Sequence, residues 1–236
     1  MAWKKIPTVA LIYDFDGTLS PGNMQEYGFI QATGLDPAEF WRKNTIMKES
    51  QDASEILCYM KLMVEEANHK NFELPKKSLK KYGNKVEFFK GVPEWFNLIN
   101  IYGKSKGVKI EHYINSSGLK EIIEGTSIAK EFKRIYECSF YYSPEGAANW
   151  PAVAVDFTTK TQFLFMINKG IDFVKDNKKV NEFIPDIERP IPFKHMIYFG
   201  DGETDIPCMK LIKQQGGRSI AVYNPTKRKK RQLQRS

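Results

Sequence analysis

The stretch VALIYDFDGTLS, Val9–Ser20, decides the fold and opens the chemistry. An apolar, β-branched run ends in two carboxylates, Asp14 and Asp16, two residues apart, and a Gly-Thr turn follows. The run reads as a buried strand and DFDGT as the loop at its carboxyl end. Like charges at that position repel, so a compensating partner is required.

Three further apolar runs read as strands: Lys109–Ile114, Met196–Phe199 and Ser219–Tyr223. GVPEWFNLINIYGKSKG carries Pro93 near a helix start and stops at Gly103 and Gly107. SSGLKEIIEG predicts a helix opened by a Ser-Ser-Gly turn, and DIPCMKLIKQQGG a helix closed by two glycines. CSFYYSPEGAANWPAVAVDF predicts a strand followed by a small antiparallel excursion. Alternating strands and helices give an α/β fold, a Rossmann-like, three-layer parallel sheet core. Residues 21–89 break the alternation with helical spacing, so they form a helical cap inserted into a core made of 1–20 and 90–236. Phe29, Phe40, Trp41, Met47, Met60 and Met63 supply the core of that insert.

In an open parallel sheet, ligands bind at the carboxyl ends of the strands. Those loops bring Asp14, Asp16, Asn115, Ser116, Ser117, Asp201, Glu203 and Asp205 together. Four aspartates cannot share a crevice as bare anions. Oxygen ligands with no His or Cys nearby in sequence select a hard divalent cation, and a few carboxylates suit Mg2+. Thr159 and Gln162 have capping-box spacing, placing Lys160 in a first helical turn, where the helix dipole disfavours a cation unless an anion is near. Ser116 and Ser117 are expected to offer helix N-terminal N–H groups to an anion. A cation site beside an anion site suits a metal-bound phosphoryl group.

These motifs resemble those of the haloacid dehalogenase-like hydrolase superfamily, in its phosphatase branches. DFDGTLS resembles the first motif, YINSSG the second, Lys160 stands where the third motif's lysine is expected, and GDGETD resembles the acidic fourth. The insert occupies the place of a phosphoserine phosphatase-like helical cap. The resemblance implies that Asp14 is the nucleophile and Asp16 the general acid and base. It implies that Asp14, the main-chain carbonyl of Asp16, and Asp201 bind Mg2+ with support from Asp205, and that Ser116, Ser117 and Lys160 bind the phosphoryl oxygens. The expected reaction is hydrolysis of a small phosphorylated metabolite. Phosphotransferase or phosphomutase chemistry of the same superfamily and a non-catalytic binding role that uses the basic C-terminal tail are the alternatives. The family core commonly continues with another strand after the last one read here.

The net charge of +8 does not point to nucleic acid. The tail TKRKKRQLQRS holds six basic residues, and without it 30 basic face 28 acidic residues. No apolar run is long enough to span a membrane. The first residues lack a cleavage pattern, and three scattered cysteines fit a reducing cytoplasm. Oligomeric state carries no sequence signal.

Overall fold

The computed structural model describes residues 6–224; the basic tail, with the tail-binding alternative, lies outside them. A six-stranded sheet forms the centre. In chain order its strands are β1 (Thr8–Tyr13), β2 (Lys109–Leu119), β3 (Phe132–Tyr142), β4 (Ala148–Val153), β5 (Met196–Gly200) and β6 (Arg218–Ala221). They lie side by side as β4-β3-β2-β1-β5-β6. All neighbours pair parallel except β3 and β4, the expected antiparallel excursion. β1 is central, pairing with β2 on one side and β5 on the other. Its residues Ala10–Tyr13 are buried.

Helices flank the sheet. After β1 come a 3-10 turn (Met24–Tyr27) and helices α1 (Phe29–Thr33), α2 (Pro37–Gln51), α3 (Glu55–His69) and α4 (Lys76–Gly83). Then follow α5 (Val92–Ser105), α6 (Lys120–Ile123), α7 (Thr159–Lys169) and α8 (Ile206–Gln214). Asp36 caps α2 by accepting from the Ala38 N–H, and Ser54 caps α3 by accepting from Leu57. The helices from α1 to α4 bury Phe29, Phe40, Met60 and Met63, with Trp41 and Met47 partly buried against them. The segment leaves and rejoins the sheet at one place, where the Phe89 N–H donates to the Leu19 carbonyl at 3.0 Å. It sits tightly: a Cβ added to Gly125 would lie 1.8 Å from the Lys80 carbonyl oxygen.

Two local expectations need correction. Ser116 and Ser117 do not open a helix; they continue β2, and the helix that follows has four residues. The cause is tertiary. Met24 Sδ accepts the Leu119 N–H at 3.1 Å, and a Cβ at Gly118 would lie 2.0 Å from Met24 Cε. The thioether thus packs on the extended backbone. The capping box at Thr159 is also absent: α7 starts at Thr159 itself. Thr159 Oγ1 accepts from the Asp156 N–H at 2.5 Å and donates to the Asp156 carbonyl at 2.7 Å, closing the turn before the helix.

One buried polar group links stability to pH. His112 on β2 accepts the Tyr13 hydroxyl on Nδ1 at 3.1 Å and donates from Nε2 to Asn100 Oδ1 at 3.0 Å. Burial pushes its pKa down to about 4. The unfolded chain therefore binds the extra proton between about pH 6.5 and pH 4, and the folded chain does not. Stability from neutral His112 is full above the unfolded pKa and declines as pH falls through that window, by at most ~3 kcal/mol. Urea unfolding of wild type and His112→Gln should show the wild-type advantage shrinking over this range. A constant difference would contradict the buried neutral imidazole.

Candidate active site

The carboxyl ends of β1, β2 and β5 converge on one cavity of about 420 Å³. Asp14, Asp16, Ser116, Ser117, Lys160 and Asp201 all line it. Asp205 lies beneath, fully buried. Its second wall comes from the segment between β1 and α5, through Gln25, Trp41, Thr45, Glu55, Ile56 and Tyr59 among others.

Asp14 follows directly on β1, and its N–H is held by the Phe199 carbonyl of β5 at 2.9 Å. Asp14 is 6% exposed. Lys160 Nζ donates to Asp14 Oδ1 at 3.0 Å, to Asp205 Oδ1 at 2.7 Å and to Thr204 Oγ1 at 3.2 Å. Lys160 itself is fully buried, and the Asn115 side chain anchors its backbone by donating to its carbonyl at 3.0 Å. Burial works against the ammonium, but the charges of Asp14 and Asp205 outweigh it and raise its pKa. Burial pushes the Asp14 pKa up to about 6; Lys160 opposes that rise, and the charges of Asp205 and Asp201 add to it.

Asp14, Asp201 and Asp205 each bring one carboxylate oxygen within 4.8 Å of the others. Asp205 is fully buried and held on both carboxylate oxygens. Its Oδ1 accepts from Lys160 and from the Tyr198 hydroxyl, at 2.9 Å, and its Oδ2 from the Gly202 N–H at 3.1 Å. That leaves Asp14 and the exposed Asp201 as the ligands of best access, with Asp205 as support. Gly17 makes room for Asp201. It adopts φ +84°, and a Cβ there would lie 2.2 Å from Asp201 Oδ2. Thr18 Oγ1 donates to Asp201 Oδ1 at 3.3 Å. The set is oxygen-only and anionic, which fits a hard divalent cation.

Asp16 stands apart from the triad. Its Oδ1 accepts the Met24 N–H at 3.0 Å, which ties the loop after β1 to the first turn of the inserted helices. Burial, and then the charge of Asp14, raise its pKa well above the usual carboxylate range. Ser116 Oγ accepts the Gly118 N–H at 3.3 Å, and Ser117 Oγ is buried without a partner. Ser116 and Ser117 both line the cavity, and their hydroxyls keep hydrogen-bonding capacity to spare.

Several residues had no assigned role in the sequence reading. Thr204 and Tyr198 hold Lys160 and Asp205, and both lie in or beside the quoted GDGETD segment. Glu137 on β3 is 3% exposed, and neither of its carboxyl oxygens makes a well-formed hydrogen bond. Burial, then the charges of Asp16 and Asp14, raise its pKa well above the ordinary value.

Removing one partner of a buried ion pair leaves an uncompensated charge, which costs about 3–5 kcal/mol. Lys160→Met should therefore lower stability by about that amount in metal-free urea unfolding. A loss below about 1 kcal/mol, typical of a surface pair, would contradict the buried ion-pair geometry.

No protein-family profile matches the chain. An uncharacterized protein of Borreliella burgdorferi is 31% identical over an alignment of 234 residues, covering 86% of this chain and 78% of that one. A HAD-family hydrolase from Salmonella enterica serovar Typhi superposes with a TM-score of 0.58 at 14% identity, over 93% of this chain and 69% of that one. A phosphoserine phosphatase, solved as an analogue of its phospho-aspartyl intermediate, superposes with a TM-score of 0.54 at 14% identity, over 94% and 97% of the two chains. The chain thus belongs to one family with the Borreliella protein, and its fold is the one shared by these haloacid dehalogenase-like hydrolase and phosphoserine phosphatase structures.

Proposed function

We propose that the chain is a Mg2+-dependent phosphomonoesterase that hydrolyses a small phosphorylated metabolite through an aspartyl phosphate on Asp14. The observation that carries this reading is the double engagement of one buried carboxylate. Asp14 bonds to the Lys160 ammonium and shares an oxygen cluster with Asp201 and Asp205. A phosphoryl group placed there meets a nucleophile, a fixed cation and a metal site at once. The likeness to a phosphoserine phosphatase captured as a phospho-aspartyl analogue supports the same chemistry.

Asp14, Asp201 and the main-chain carbonyl of Asp16 would hold the ion, which when bound neutralises charge on the phosphoryl oxygens. The remaining work falls to side chains. An Asp14 oxygen attacks phosphorus, forming one P–O bond as the ester P–O bond breaks. Asp16 gives its proton to the leaving alkoxide. It then takes a proton from water, whose oxygen attacks the phosphoaspartate and releases Asp14 and inorganic phosphate. Lys160 offsets charge on Asp14, and the Ser116 and Ser117 hydroxyls donate to phosphoryl oxygens. Residues 1–20 and 90–236 act as the catalytic core, and residues 21–89 as the cap that selects the substrate. A reducing, cytoplasmic setting accords with three free, buried cysteines.

The two carboxylates are separable by experiment. Asp14→Asn removes the attacking anion and should abolish turnover in a folded protein. Asp16→Asn removes proton transfer, worth about 10²–10⁴-fold. The pre-steady-state burst should therefore fall far more with an alkyl phosphate than with p-nitrophenyl phosphate, whose leaving group needs no proton. Equal losses would remove Asp16 from the acid role, and an active Asp14→Asn would end the mechanism.

A further inference from the structure

The cavity wall contributed by the inserted helices is rich in acceptors and poor in donors. Trp41 Nε1 already donates to Glu26 Oε1 at 2.8 Å, and the Tyr59 hydroxyl to the Ser117 carbonyl at 2.8 Å. Thr45 Oγ1 donates to the Trp41 carbonyl at 3.1 Å, and Asn23 Nδ2 to Glu26 Oε1 at 2.7 Å. What this wall still offers a substrate is mostly electron-rich: the Glu55 carboxylate and two aromatic rings, Trp41 and Tyr59, with centroids 6.2 Å apart at 68°. Gln25 adds an amide that is 2% exposed and whose oxygen has no partner. Glu203 adds a second acid on the side of the β5 loop. Among the described residues, Lys160 is the one cation lining the cavity, and Asp14 and Asp205 already engage it.

We propose that the site prefers phosphate monoesters whose organic part carries a protonated amine and no carboxylate, with Glu55, Trp41 and Tyr59 receiving the ammonium. The proposal rests on the phosphomonoesterase reading and names its substrate class. A carboxylate on the substrate would meet Glu55 and Glu203 with no free cation to pair with. An ammonium finds a carboxylate and aromatic rings, both of which attract it. Glu55 pairs with Lys48 at 3.1 Å, but both are exposed, and such a pair is weak enough for a bound ammonium to replace.

The test compares kcat/KM with Mg2+ for 2-aminoethyl, ethyl and carboxymethyl phosphate, with p-nitrophenyl phosphate as reference. These three alkyl esters are of similar size and differ in charge. The aminoethyl ester should exceed the carboxymethyl ester by at least about tenfold, with the ethyl ester between. In Glu55→Gln the aminoethyl-to-ethyl ratio should fall by at least about threefold. The ratio is taken within one protein, so a general loss of folding or metal binding cancels. Turnover of p-nitrophenyl phosphate with the carboxymethyl ester equal or preferred, or with an unchanged ratio in Glu55→Gln, overturns this proposal alone. No turnover of any of the four esters overturns the phosphomonoesterase reading and this proposal with it.

Discussion

The Lys160 ammonium, buried between Asp14 and Asp205, is the constraint on which the rest of the site depends. A charge removed from water is tolerated only with close partners, and here two carboxylates lie at 3.0 and 2.7 Å. Meeting that condition fixes four elements at once. β1 must end just before Asp14, the turn after β5 must carry Asp205 back over the strand, α7 must begin beside both, and β2 must supply Asn115 to hold the Lys160 backbone. Lys160 also stands in the first turn of α7, where the helix dipole disfavours it. The two carboxylates supply the opposing attraction.

The inserted helices are joined to this centre through polar as well as apolar contacts. The Met24 N–H holds the Asp16 carboxyl, the Met24 sulfur packs on the end of β2, and Tyr59 donates to the Ser117 carbonyl. Asp16, to which we assign the acid role, and the end of β2, to which we assign phosphate binding, are thus both oriented from the inserted helices. On the proposed function, selectivity and proton transfer are therefore coupled. A change in the insert that shifted Met24 would reach Asp16 and Ser116 together.

Much of the fold was legible because buried parallel strands leave uninterrupted apolar runs, and loops at their carboxyl ends carry the ligands. VALIYDFDGT and MIYFGDGETD are such segments. Asp14, Asp201 and Lys160 meet as expected, although Lys160 is placed by an Asp156–Thr159 turn and not by a capping box. The extended Ser116–Gly118 backbone was not legible, since the packing that shapes it belongs to Met24, more than ninety positions away. The first half of β3, Phe132–Glu137, was missed for another reason. Lys133, Arg134 and Glu137 interrupt its apolar run, and Lys133 is accommodated by an ion pair with Glu111 on β2. Glu137 therefore gave no local sign of lying near Asp14 and Asp16.

Trapping the covalent intermediate tests the central claim most directly. The protein would be mixed with Mg2+ and p-nitrophenyl phosphate, quenched in acid within the first turnover, and digested for mass spectrometry. A phosphoaspartate mechanism predicts one phosphoryl group on the peptide containing Asp14, labile to base and absent from Asp14→Asn. Turnover with no adduct on that peptide, or with the phosphoryl group on another residue, would contradict it.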